Sequence, residues 1–386
     1  MNQIPEFSVI LWFLMVIACI TIPPRIMRWF GEKVLQKDVS EKKKIYDLMK
    51  IELLCVSSSM TYIIITILLG MLDRAYNILN SLLLPKIIKA LLFIFIIVSP
   101  MLISIFLVTY EAVKLGTKIT KGKIEKKDVF GELAQVLGPM FVFIFIWIIL
   151  ILSLPESLTS KWWFSFVLFS ILVLIFFTIY PTIFIKIGPT YKLDPKLKEE
   201  ILKFCSEYGV KVKDVVVKGK PEHEGANAMI TGIIPNYRYI ILTPTLLRDF
   251  DKEEIKAIVA HEIGHIKGKH LWINAFAAIS WFLFWLGIVY GASNIGIDIS
   301  SSPLTFFVIL SFAVLFWNLG IESWIIRRNE FKADEFAARI CGKEVTVRAL
   351  KKLAEINLVP EKTGKWFEVI SMHPSIENRI KHLQRL

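Results

Sequence analysis

Seven stretches of the chain run almost free of charge, at about residues 7–23, 52–72, 87–110, 134–154, 162–186, 272–295 and 303–325. Each is close to the twenty or so residues an α-helix needs to span roughly 30 Å of hydrocarbon. The clearest are "WWFSFVLFSILVLIFFTIYPTIFI" and "PLTFFVILSFAVLFWNLGIESWII"; the second run is diluted by Ser57, Ser58 and Ser59. A bilayer offers backbone groups no water to bond, so the pattern predicts seven membrane-crossing helices.

Composition agrees: 55% of the residues are hydrophobic, with 28 Phe and 11 Trp, and only 21% are charged, against 45–50% apolar in an ordinary soluble domain. The net charge of +12 would suggest a nucleic-acid partner in a soluble protein. Here the cations lie between the apolar runs: Arg25, Arg28, Lys33, Lys37, Lys42, Lys43, Lys44 and Lys50 in 24–50, and "KLGTKITKGKIEKK" in 111–133. Seven crossings put both loops on one side with 187–271 and 326–386, and leave Arg74, Lys86 and Lys161 on the other. Short basic loops stay cytoplasmic. The reading is an integral, multi-pass protein with its N-terminus outside and its hydrophilic segments cytosolic, in the plasma membrane if the source is a prokaryote, with the bilayer and no nucleic acid as partner. Glu6 precedes the first apolar run and the basic residues follow it, the pattern of a retained first helix rather than a cleaved signal. Cys19, Cys55, Cys205 and Cys341 stand singly and suggest neither disulfides nor a thiolate metal site.

The chain divides into 1–186 with five crossings, a hydrophilic segment 187–271, the last two crossings in 272–325, and a C-terminal segment 326–386. In the first hydrophilic segment, "LDPKLKEEILKFCSEYG" reads as a helix capped by Asp194 and stopped by Gly209. "VKDVVVKG", "NAMITG" and "YRYIILT" read as strands, with Pro235 and Asn236 in the turn between the last two. "DKEEIKAIVAHEIGHIKGKHLW" reads as a helix opened by Asp251 and Glu254 at capping-box spacing and running straight into the sixth crossing.

That helix carries the chemistry. Residues four apart share a helix face, so His261 and His265 can grip one ion together. Neutral imidazole suits Zn²⁺, and Glu262, slightly displaced, can take a proton from a water that zinc acidifies to a pKa of about 7. Gly264 leaves room for another segment to pass. A catalytic zinc needs a third protein ligand and an open position. In "RRNEFKADEFAARICG", just past the seventh crossing, Glu330 can complete a His₂Glu set, and Asp334 can accept the free N–H of a ligand histidine.

"AHEIGHIKGKH", "RRNEFKADEFA", "HPSIENRI" and "NAMITGIIPNYRYIILTPTLL" occur in an order that resembles the type I CaaX prenyl proteases, integral-membrane zinc metalloproteases to which the HtpX-type quality-control proteases are related. The likeness covers about 225–272 and 325–386; the seven crossings and "EFKADEF" are closer to the CaaX-type branch, since HtpX-type chains carry fewer. It implies a cytosolic α+β zincin-like (gluzincin) catalytic domain split around the last two helices, with one Zn²⁺ per chain. It makes His261, His265 and Glu330 the zinc ligands and Glu262 the catalytic base. Asn227 and Ala228 fall in an edge strand that pairs with the peptide substrate, while His373 and Arg379 fall in an element whose side chains reach the site to stabilise the oxyanion. His270 matches a family position one residue off the ligand face and is read as interfacial; His223 and His382 are given no role. Met229, Ile230 and Thr231 stand where most relatives have an aromatic. The implied substrate is a prenylated or membrane-inserted protein. Alternatives are HtpX-type clearance of misfolded membrane proteins, or a transporter or scaffold with a degenerate site.

Overall fold

The protein, described here from a computed structural model, is defined over residues 6–120, 126–159, 161–186, 190–219, 225–298, 302–359 and 374–386. It divides into two compact units, Met1–Ser165 with Gly287–Phe312, and Phe166–Leu286 with Ala313–Leu386.

The N-terminal part is helical throughout: α1 (Glu6–Gln36), α2 (Glu41–Leu68), α3 (Met71–Ser81), α4 (Lys86–Thr120), α5 (Lys126–Ser153), the single turn α6 (Glu156–Thr159) and α7 (Trp162–Lys186). Among the described residues six helices are long and apolar enough to cross a membrane, and Val142–Ser153 of α5 forms a shorter apolar stretch within the expected fourth crossing. The basic segment 24–50 is not a loop. α1 continues to Gln36, and α2 starts at Glu41 behind a Ser40 cap. Lys, Arg and Glu are good helix formers, so charge ends the apolar run without ending the helix. These extensions bury Met27, Val34, Leu48, Val108 and Leu115 together. Arg28 of α1 pairs there with Glu111 of α4.

The other unit holds the only sheet among the described residues. β1 (Thr190–Tyr191) precedes α8 (Pro195–Glu207), which Asp194 caps by accepting the Lys196 N–H, and Gly209 follows its end at φ +69°. Then come β2 (Asp214–Lys218), β3 (Ala228–Thr231), a 3₁₀ turn at Pro235–Tyr237, β4 (Tyr239–Leu242) and α9 (Pro244–Asp249). The sheet order is β1-β2-β4-β3, with β2 parallel to β4 (Val215 opposite Ile240) and β3 antiparallel to it (Met229 opposite Ile241). β3 is therefore an edge strand. The expected turn between β3 and β4 forms, with Gly232 at φ +97° packed on the Tyr237 carbonyl, where any Cβ would collide.

α10 (Lys252–Lys267) begins with the capping box expected: the Asp251 side chain accepts the Glu254 N–H at 2.8 Å, and Glu254 accepts the Asp251 N–H at 3.1 Å. It does not run straight into the membrane span. The chain breaks at Gly268–Lys269, with Lys269 left-handed at φ +57°, before α11 (His270–Asn294) starts. The His270 ring lies over Gly268, where no Cβ would fit, so the turn depends on that glycine. α12 (Pro303–Leu315) passes through a π-helical stretch, Phe316–Glu322, into α13 (Ser323–Cys341), followed by α14 (Lys343–Ile356) and α15 (Ile376–Gln384). The core joins Ile201 and Cys205 of α8, Val215, Ile240 and Leu242 of the sheet, and Val259 and Ile263 of α10.

Candidate active site

α10 and α13 pack closely because Gly264 has no side chain: a Cβ there would stand 2.9 Å from the Ala333 Cα. The passage expected beside Gly264 is thus occupied by α13. This approach brings Glu330 to the histidines of α10. The His261 and His265 Nε2 atoms lie 3.1 Å apart, Glu330 Oε2 is 3.6 Å from the first, and Glu330 Oε1 is 3.4 Å from the second. Tetrahedral ligands bound to zinc at 2.0–2.1 Å stand about 3.3 Å from one another. Two imidazoles and a carboxylate at these separations therefore fit a divalent metal, with each residue offering one ligand atom within 4.8 Å of the others.

The residues behind this triad fix it. Asp334, one turn beyond Glu330 on α13 and fully buried, meets His261 Nδ1 at 2.9 Å. Arg379 of α15 grips both oxygens of Asp334, through Nε at 2.7 Å and Nη2 at 2.6 Å, and its Nη1 is 3.5 Å from Glu330. Burial works against the Arg379 cation, but the Asp334 and Glu330 carboxylates outweigh it and hold the group firmly charged. Burial likewise opposes charge on His261, and Asp334 overcomes it, leaving the ring above its ordinary range.

Glu262 is buried and faces the edge strand, where its Oε2 accepts the Ile230 N–H at 2.7 Å. Burial raises its carboxyl above the usual range, against the pull of His265 and His261. Asn227 precedes β3 and is tied to Thr243, accepting from its N–H at 3.0 Å and donating its own N–H to Oγ1 at 2.9 Å. Ala228 opens the strand opposite Leu242. His373 lies outside the described residues.

His270, read as interfacial and not a ligand, opens the membrane-spanning helix α11. It is buried there, and its Nδ1 lies 2.8 Å from His265 Nδ1, a contact sequence reasoning missed. The contact is made on the side of the His265 ring opposite the Nε2 that faces Glu330, so His270 fixes the orientation of that ring. Extrapolating α10 past Gly268 hides this contact. Asn357, at the end of α14, was also missed. Its Oδ1 accepts the Ala226 N–H and its Nδ2 donates to the Ala226 carbonyl, both at 2.8 Å, so one side chain clamps the backbone leading into β3. Its position, 131 residues from Ala226, carries no local signal. His382 pairs with Glu335 at 2.7 Å.

The sequence pattern of peptidase family M48 matches residues 192–386, about half of the chain and all of the elements just described from α8 onward. The chain belongs to peptidase family M48. Among its relatives are the protease HtpX of Haemophilus influenzae (strain PittGG), 27% identical over 218 residues that cover 51% of this chain and 76% of that one. The protease HtpX homolog of Thermococcus sibiricus is 27% identical over 222 residues, 50% of this chain and 74% of its own. The crystal structure of S. mikatae Ste24p superposes with a TM-score of 0.67, covering 98% of this chain and 99% of that one. Its identity is only 17%, so this likeness speaks for the fold. This M48 protein is a membrane metalloendopeptidase, and the fold expected from its motifs is the one found.

Proposed function

We propose that this M48 protein is a zinc-dependent endopeptidase that cuts lipid-modified or hydrophobic, membrane-associated peptides in the manner of the CaaX-type branch. The observation that carries the reading is the convergence of His261, His265 and Glu330 from two helices, with Glu262 buried beside them. His261, His265 and Glu330 would hold a zinc ion, which when bound would supply Lewis-acid polarisation of the scissile carbonyl and an acidified water. Glu262 accepts the proton of the attacking water and delivers it to the leaving amine. Its raised carboxyl pKa suits a group that must do both near neutrality. Asp334 fixes the ring of His261, and Arg379 fixes Asp334. Arg379 and His373 are assigned to charge developing on the substrate oxygen. The outer edge of β3, entered through Asn227 and Ala228, takes the peptide by strand addition. The segments 187–271 and 326–386 act as two halves of one catalytic body, on the cytosolic face of the plasma membrane by the charge of the loops.

What supports the CaaX-type branch is the extent of the likeness: Ste24p shares the fold over nearly the whole chain, whereas the HtpX relatives match about half. An HtpX-type role, clearing misfolded membrane proteins, is the second reading and is favoured by those sequence relatives. The test has two parts. Glu262→Gln should retain zinc while losing at least about 10²-fold in rate; full activity rejects the assignment. Cleavage of a farnesylated CaaX peptide, set against cleavage of an unlipidated, unfolded membrane protein, decides between the branches.

A further inference from the structure

Arg238, in the turn before β4, is a buried cation without a buried anion. It is 8% exposed, and its guanidinium is held by three backbone carbonyls: Nε by Gly232 at 3.2 Å, Nη1 by Lys211 at 3.1 Å and Nη2 by Ile233 at 2.8 Å. Burial alone shifts its pKa, downward, and no carboxylate pairs with it among the described residues. A buried charge left uncompensated is costly, and proteins normally supply a partner. Carbonyls orient this guanidinium but carry no countercharge, and two of its five N–H groups remain beyond the three bonds.

Arg238 lines an open concavity of about 400 Å³, shared with Ile266, Lys269, Trp272 and Phe276. A second cation therefore borders the same space. Lys269 is the left-handed residue of the break between α10 and α11, at φ +57°, a conformation that costs a side-chain-bearing residue energy and is retained where surroundings or function demand it. The backbone at Arg238 is itself fixed, since the Lys213 N–H donates to the Arg238 carbonyl at 2.7 Å.

The remaining walls identify the ligand. Trp272 and Phe276 are one turn apart at the start of the span α11, stack with centroids 6.0 Å apart, and are both exposed. Tryptophan at the end of a span settles at the boundary between headgroups and hydrocarbon. A space lined by two cations and two aromatic rings, at the point where a helix enters the bilayer, matches an amphiphile with an anionic head. Its volume lies within the range of small-molecule sites. We infer that this cavity binds the phosphate headgroup of an anionic phospholipid, with Arg238 and Lys269 on the phosphate and Trp272 and Phe276 against the acyl chains.

The test uses the full-length protein, delipidated in detergent and titrated with phosphatidylglycerol or phosphatidylcholine, with bound lipid counted by native mass spectrometry and stability followed by thermal melting. One phosphatidylglycerol should be retained per chain, at least tenfold more tightly than phosphatidylcholine, and should raise the melting temperature. Lys269→Glu, on the exposed side of the cavity, should weaken it by about fivefold or more, the worth of roughly one cation at a membrane surface. Trp272→Ala should weaken it too. Arg238→Gln should abolish binding; if that variant fails to fold, Lys269→Glu and Trp272→Ala still decide. Equal retention of the two lipids, or unchanged binding in both of those variants, overturns the assignment. So does inorganic phosphate that stabilises the protein as well as the lipid does, because the site would then be one for a free anion.

Discussion

Alanine at Gly264 should damage metal binding more than stability. In a helix the change itself gains about 1 kcal/mol of propensity. The new Cβ, however, would stand 2.9 Å from the Ala333 Cα and 3.2 Å from its carbonyl oxygen. Carbon atoms settle at about 3.5–4.0 Å, so α10 and α13 must separate by at least about 0.5 Å. Overpacking of this kind costs about 1–3 kcal/mol, leaving a net loss of about 0–2 kcal/mol after the helix gain. Glu330 rides on α13 while both histidines stay on α10, so the same half ångström opens the 3.4 and 3.6 Å gaps across the triad. Metal bonds tolerate only about 0.2 Å. Zinc affinity should therefore fall by about 10–100-fold, in the range seen when the surroundings of metal ligands are disturbed, with part of the activity recovered at high zinc. Chelator competition measures the affinity and a thermal melt the stability. Gly287→Ala, where a Cβ meets nothing within 4 Å, is the control and should change neither. A Gly264→Ala protein with wild-type zinc affinity would refute the claim that helix spacing sets the site.

Asp334→Asn keeps the size of the side chain but removes the charge between His261 and Arg379 and leaves Glu330, at 3.5 Å, as the nearest carboxylate to the cation. Zinc affinity at neutral pH should drop by about 10–100-fold, and an unchanged value by chelator competition counts against Asp334 as the anchor of His261. Asn357→Ala removes two hydrogen bonds to Ala226, together about 2 kcal/mol of local restraint. KM should rise several-fold with zinc content and kcat little changed, alongside faster hydrogen exchange over 226–231; unchanged KM and exchange would mean that the clamp does not position the strand. Burial lifts the Cys205 thiol to about 11. An unfolded thiol ionises near 8.5, so the contribution of Cys205 to stability should be intact below that pH and decline as pH rises toward 11. Alkylation of a variant with Cys205 as its only cysteine, at pH 9 with and without denaturant, should show protection only in the folded form.

Local signals were legible and long-range ones were not. The Asp251–Glu254 box, the Asp194 cap, the three strands, and the pairing of His261 with His265 all depend on residues within a turn or two of each other, and all are found as read. Glu330 was reachable only in combination: alone a Glu-Asp helical pair reads as a solvated face, but its helix leaves the seventh crossing on the same side as the helix that carries His261 and His265. The parallel pairing of β2 with β4 leaves no periodicity in either strand, and β1 is too short to show one. The break at Gly268 was invisible because a glycine and a lysine are both tolerated in a helix; only the His270 ring, folded back on the glycine, forces the turn. Charge was read as the end of a helix in 24–50, where it marks only the end of the lipid-facing stretch.

Glu330, Asp334, Asn357 and Arg379 all follow the apolar run 303–325 in the chain, whereas His261, Glu262 and β3 precede the last two spans. On the proposed reading, a chain that ends before α13 holds His261 and His265 but neither Glu330 nor Asp334, and one that ends before α14 lacks Asn357. The site as proposed can therefore be completed only after both of the last spans have been made.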